Sequence, residues 1–68
     1  MINRNKLRGL MAEKGMSQRQ VAKEIGIHEE TLYRKMRLGS FDSEEMQKLV
    51  DLLQIEDPAA IFFAKKVT

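Results

Sequence analysis

Residues 17–36 read Ser-Gln-Arg-Gln-Val-Ala-Lys-Glu-Ile-Gly-Ile-His-Glu-Glu-Thr-Leu-Tyr-Arg-Lys-Met, and no other stretch limits the fold as tightly. Ser17 and Gln20 have the spacing of a capping box, in which the hydroxyl accepts from the Gln20 amide and the Gln20 side chain reaches back to the Ser17 N–H. Met16 and Val21 flank the box as a hydrophobic staple. A second start signal centres on Glu29: His28 is a weaker cap, Ile27 can pack on Leu32, and Glu29 and Glu30 complement the positive end of a helix. Between the two starts lies Gly26, which can take the positive φ that ends a helix without a Cβ clash. The spacing predicts two short helices around a tight bend, with Ala22 at their closest approach and Val21, Ile25, Ile27 and Leu32 closing the angle. A bulky residue in place of Ala22, or a β-branched one in place of Gly26, is expected to unfold the unit. Such a unit is a helix-turn-helix, whose second helix leaves the body at an angle that fits the major groove of DNA.

The flanking sequence supplies the rest of a small helical body. Asn3 caps a first helix over about Arg4 to Lys14, with Ile2 and Leu7 as its staple and Leu7, Leu10 and Met11 at helical spacing before Gly15. Leu38-Gly39-Ser40 reads as a turn. Asp42 and Glu45 then repeat the capping box with Phe41 stapled on Met46, and Met46, Leu49, Val50 and Leu53 form an i, i+3, i+4, i+7 core stripe. Asp57 caps a shorter fifth helix that has Pro58 at its first position and is apolar almost throughout from Ala59 to Ala64. The expectation is an all-α, compact five-helix domain over residues 1–68, with the helix-turn-helix at about 17–37.

At 68 residues such a chain can bury roughly 60% of its unfolded surface in one small core. It has no cysteine and one histidine, so neither disulfides nor a metal site is expected, and no cofactor is expected either. The apolar run from Ala59 to Ala64 is far short of the roughly 20 residues of a membrane span, and the N-terminus carries no apolar leader. A cytoplasmic location is expected. No nucleophile with a base and no phosphate-cradling glycine loop is present, so the pattern does not point to an enzyme.

Net charge is only +2, but it is unevenly distributed: residues 1–40 carry nine Lys/Arg against four Glu, whereas residues 41–64 carry one Lys against six Asp/Glu. A basic helix-turn-helix beside an acidic support would orient the molecule toward phosphate.

Gln18, Val21, Ala22, Ile25, Gly26, Ile27, Thr31, Leu32 and Arg34 together resemble the Cro/repressor-type helix-turn-helix family of phage and bacterial regulators, which is lambda repressor-like. The resemblance extends over nearly the whole chain, and the Thr-Leu-Tyr-Arg-Lys-Met run with the later Phe-Phe is similar to small phage-encoded members. Two positions depart from the family pattern: Lys35 stands where an apolar residue is usual, and Gly39 comes one position late. The resemblance implies a sequence-specific double-stranded DNA operator as partner, a homodimer, a repressor's role, no small-molecule ligand, and a place on the nucleoid of a bacterial host.

If Leu32 and Met36 point inward, the outward face of the second helix carries Glu29, Glu30, Tyr33, Arg34 and Arg37, with His28 at its start. By resemblance, the base readers are His28, Glu29, Glu30, Tyr33 and Arg34. Arg34 can make a two-pronged contact to guanine, and a glutamate can accept from cytosine N4 but repels phosphate. For Glu29 and Glu30, helix-dipole complementation is an equally sufficient account. Gln18 resembles the family's backbone clamp, and Arg19, Thr31, Lys35 and Arg37 are its companion phosphate contacts. Phe62 and Phe63 are neighbours and point about 100° apart on a helix, so a narrow stripe cannot take both. Either a wide core wraps both rings, or one ring, with Ile61 or Val67, forms a dimer contact, which makes Ile61, Phe62, Phe63 and Val67 the dimer candidates, with residues 65–68 as a disordered tail or an extended arm. The rival function is a protein-interaction module on the same fold, an antirepressor or antitoxin-like partner.

Overall fold

The computed structural model describes residues 2–63. Among these there are five helices and no strand: α1 (Arg4–Glu13), α2 (Gln18–Ile25), α3 (Glu29–Leu38), α4 (Ser43–Leu53) and α5 (Pro58–Phe62). Four of the five start where a short polar side chain satisfies a free N–H of the first turn. Asn3 accepts from Lys6, Ser17 from Gln20, Asp42 from Glu45 and Asp57 from Ala60. Both capping boxes are reciprocal, with Gln20 and Glu45 reaching back to the N–H groups of Ser17 and Asp42. The exception is α3. His28 occupies its N-cap position with extended backbone, but the imidazole makes no capping bond, so Glu29 and Glu30 in the first turn are what complement the helix start.

Helices α2 and α3 end alike. Gly26 has φ 82° and the Ile27 N–H bonds back to the Ala22 carbonyl at 2.9 Å; Gly39 has φ 69° and the Ser40 N–H bonds to the Lys35 carbonyl at 3.2 Å. This left-handed ending satisfies carbonyls that the helix leaves over, and it turns the chain sharply enough for the next helix to fold back. Gln54 ends α4 in the same way without being a glycine, at φ 54°, and its side chain accepts from the Lys14 ammonium.

Helix α2 is the hub, packing on α1, α3 and α4, while α5 returns to α1. Leu7, Met11, Val21, Ala22, Ile25, Leu32, Met36, Leu49 and Leu53 are buried in one cluster, with Ile27, Leu10, Met46 and Val50 packed at its edge. Ala22 lies buried where α2 meets the rest, as its small size requires. The N-terminus is tied to the last helix by the Asn3 N–H, which bonds the Ile61 carbonyl at 2.7 Å.

The expected dimer contacts need correction. Ile61 and Phe62 are only 2% and 7% exposed, and the Phe62 ring sits edge-on to Phe41 with centroids 6.1 Å apart. They complete the core, because α5 is short and lies flat on α1 with that side inward. Phe63, about 100° further round, is left 60% exposed. Val67 and the 65–68 tail fall outside the described residues.

Candidate nucleic-acid interface

Helix α3 owes its exposure to two buried residues, Leu32 and Met36, which anchor one side of it in the core. A turn of 3.6 residues then sends positions 29, 30, 33, 34 and 37 outward together. Glu29, Glu30, Tyr33, Arg34 and Arg37 line one open concavity on this face, and Gln18, at the first turn of α2, closes its edge. Tyr33 is 55% exposed, although nothing in the core requires an aromatic ring on solvent. The concavity thus joins two cations, two carboxylates, a phenol and an amide, a donor and acceptor mixture suited to base edges and phosphate oxygens. Arg37, expected at the backbone, shares this face with Arg34.

Other candidates sit elsewhere. Arg19 and His28 line a second concavity on the outer flank of the bend, together with Lys23, Ala22, Ile27 and Glu29. Glu29 borders both surfaces. No motif in the sequence marks Lys23, and the packing of the bend brings it beside Arg19 and His28. Thr31 is half-buried on the flank of α3 away from the concavity.

Lys35 is the clearest departure from expectation. Its ammonium does not face outward but reaches the Glu45 carboxylate on α4, at 2.8 Å from Oε1 and 2.6 Å from Oε2. Among the described residues this is the ion pair that joins two helices, and both side chains are largely covered, at 23% and 13% exposed. The reason is geometric: position 35 is one residue before inward Met36 and lies off the arc of 29, 30, 33, 34 and 37, so its stem leads toward α4. Sequence reasoning assigned Glu45 only to its capping box. The unusual lysine at a normally apolar position was the available signal.

Beyond the end of α3, Leu38 is 61% exposed. It lines a cleft with Ile2, Arg4, Met36, Arg37 and Gly39, and the adjoining cleft is formed by Ile2, Gly39, Phe41, Met46, Phe62 and Phe63. Ile2 and Gly39 belong to both, so the two clefts form one strip beside the C-terminal end of α3, with exposed Leu38 lining one part, between Arg4 and Arg37, and exposed Phe63 the other. Among the described residues no helix is long and apolar enough to cross a membrane.

Comparison with curated proteins and with solved structures finds no match. A family model does match: residues 6–62 fit the Cro/C1-type HTH DNA-binding domain, a span from the first turn of α1 to the end of α5 with the helix-turn-helix inside it. The outward face of α3 and the Gln18 edge lie within the matched residues. The chain belongs to the Cro/C1-type HTH DNA-binding domain family and is, at that level, a DNA-binding regulator of transcription.

Proposed function

We propose that residues 1–68 act as one sequence-specific binding unit, a phage-type repressor that works as a homodimer on a two-fold operator and represses by occupying it. The observation that carries this reading is the single concavity that joins Gln18 of α2 to Glu29, Glu30, Tyr33, Arg34 and Arg37 of α3. In the complex, Arg34 reads guanine, a first-turn glutamate accepts from cytosine, and Tyr33 lays its ring on a thymine methyl or its hydroxyl on phosphate. Gln18 holds a phosphate oxygen at the start of α2, and Arg19 and His28 extend the phosphate contact along the outer flank. The exposed Leu38 and Phe63 on the adjoining clefts support the homodimer. A two-fold axis there would set two reading helices side by side on half-sites about 34 Å apart.

The test is selection of bound sequences from a random duplex pool, followed by affinity measurements across salt concentrations. A two-fold consensus, with log K falling linearly against log salt by about 0.9 per neutralised phosphate, is the expected outcome. The exposed Phe63 and Leu38 equally favour a protein partner of antirepressor or antitoxin-like kind, and an unselective pool with salt-insensitive binding would award the function to that reading.

A further inference from the structure

We propose that the Lys35–Glu45 pair is a latch that sets the pose of the reading helix, which makes Glu45, an acidic residue, a positioning residue for DNA binding. The proposal rests on the reading of α3 given above. Helix α3 packs chiefly on α2, so its contact with α4 is the place where a directional bond can add to the restraint that core packing supplies. A tether from this third element restrains the roll of α3. Glu45 is suited to be its fixed end, because Oε1 also accepts the Asp42 N–H at 3.0 Å while Asp42 accepts the Glu45 N–H at 2.7 Å. The carboxylate is therefore locked to the first turn of α4 before Lys35 arrives. Lys35 approaches both oxygens from the middle of α3, between Arg34, which lines the reading concavity, and buried Met36. A freely exposed pair of this kind would count for little, but this one is largely covered from solvent.

The family resemblance puts an apolar residue at position 35, which has no charge to offer the Glu45 carboxylate. In this chain a directional, two-oxygen contact replaces it, and the angle of Tyr33, Arg34 and Arg37 depends on a charge that never meets DNA.

Glu45→Gln tests the latch. Glutamine keeps the capping acceptor, as Gln20 does in the Ser17 box of the same chain; the ion pair is lost together with one first-turn charge of α4, where Glu44 remains. Simple electrostatics says that removing a negative charge tightens DNA binding; the latch requires the opposite. We expect about a three- to tenfold loss of affinity for the selected duplex, the equivalent of about 0.6–1.4 kcal/mol, with the slope of log K against log salt unchanged. Lys35→Met should behave in the same way, since Lys35 neutralises no phosphate. In the free protein, both variants should shift the backbone amide resonances of Glu29–Leu38 and speed their hydrogen exchange, leaving α1 and α5 as they were.

Unchanged or tighter binding by Glu45→Gln overturns the proposal, as does a Lys35→Met salt slope shallower by about 0.9, which would mark Lys35 as a phosphate contact. Unmoved α3 amides overturn it too. Should Glu45→Gln not fold, Lys35→Met reads the same quantities. If the native chain bound no duplex at all, the proposed function would fail while the amide readout in free protein still decided the latch.

Discussion

Substitution of Gly26 separates two reasons why a glycine can be required. Its φ of 82° lies in the left-handed region, yet a Cβ built on it meets nothing within 4 Å. The cost of a side chain is therefore conformational and not a clash with neighbours. For alanine the left-handed geometry costs about 1–2 kcal/mol, offset by about 0.4–1 kcal/mol because alanine also restricts the unfolded chain. The net loss is about 1 kcal/mol. Asparagine tolerates this region and should lose less. Valine, β-branched, falls toward the upper end of the roughly 1–3 kcal/mol range for strained backbone. That is most of the roughly 3–5 kcal/mol that a core of this size supplies, so only valine should approach outright unfolding. In urea titrations the midpoint should fall in the order Gly, Asn, Ala, Val with an unchanged m value, by about 1 M for alanine if m is near 1 kcal/mol/M. Gly39 is the control: a Cβ there comes 3.3 Å from Ile2 Cγ2, so Gly39→Ala adds a contact penalty to the same backbone cost. An alanine variant as stable as the native chain, or an asparagine variant as poor as valine, would refute the backbone argument.

Other substitutions test the site and the strip. Arg34→Ala should relax preference at one or two base pairs, by about 1–3 kcal/mol of discrimination, whereas Gln18→Ala should weaken all sequences by a similar factor; equal uniform losses would refute that division. Phe62→Ala, a core deletion of about 3–5 kcal/mol, should consume nearly all of the stability that so small a core supplies and leave little or no folded baseline in urea titration. Phe63→Ser with Leu38→Ser should leave stability nearly unchanged but abolish self-association in sedimentation and cooperative binding to two half-sites. Ser17→Ala should lose about 1 kcal/mol with its cap, seen as a fall in Tm of about 4–8 °C.

The helix starts were legible because each is a local event. Asn3, Ser17, Asp42 and Asp57 meet N–H groups three residues away, so sequence spacing and spatial distance coincide. Gly26 was legible for the same reason, and so was the outward arc of Glu29, Glu30, Tyr33, Arg34 and Arg37, which needs only helical periodicity and an inward Leu32 and Met36. The capping role given to His28 was not upheld, since an imidazole at that position leaves the first-turn N–H groups without a side-chain acceptor.

Where the sequence could only offer alternatives, the answer depended on which element came to lie opposite. Two adjacent phenylalanines are equivalent until α5 lands on α1 and one side of it becomes the inside; Phe62 is then core and Phe63 surface. Lys35 looked like one more cation on a basic helix until α4 placed a carboxylate within 2.6 Å of it. Arg19, Lys23 and His28 gather only once the bend has closed. Sequence by itself determined the caps, the periodic faces and the family, because these follow from interactions within one turn of chain. Tertiary structure alone decided which charges are free to meet DNA and which ring is free to meet a partner, because burial and ion pairing are properties of two surfaces brought together.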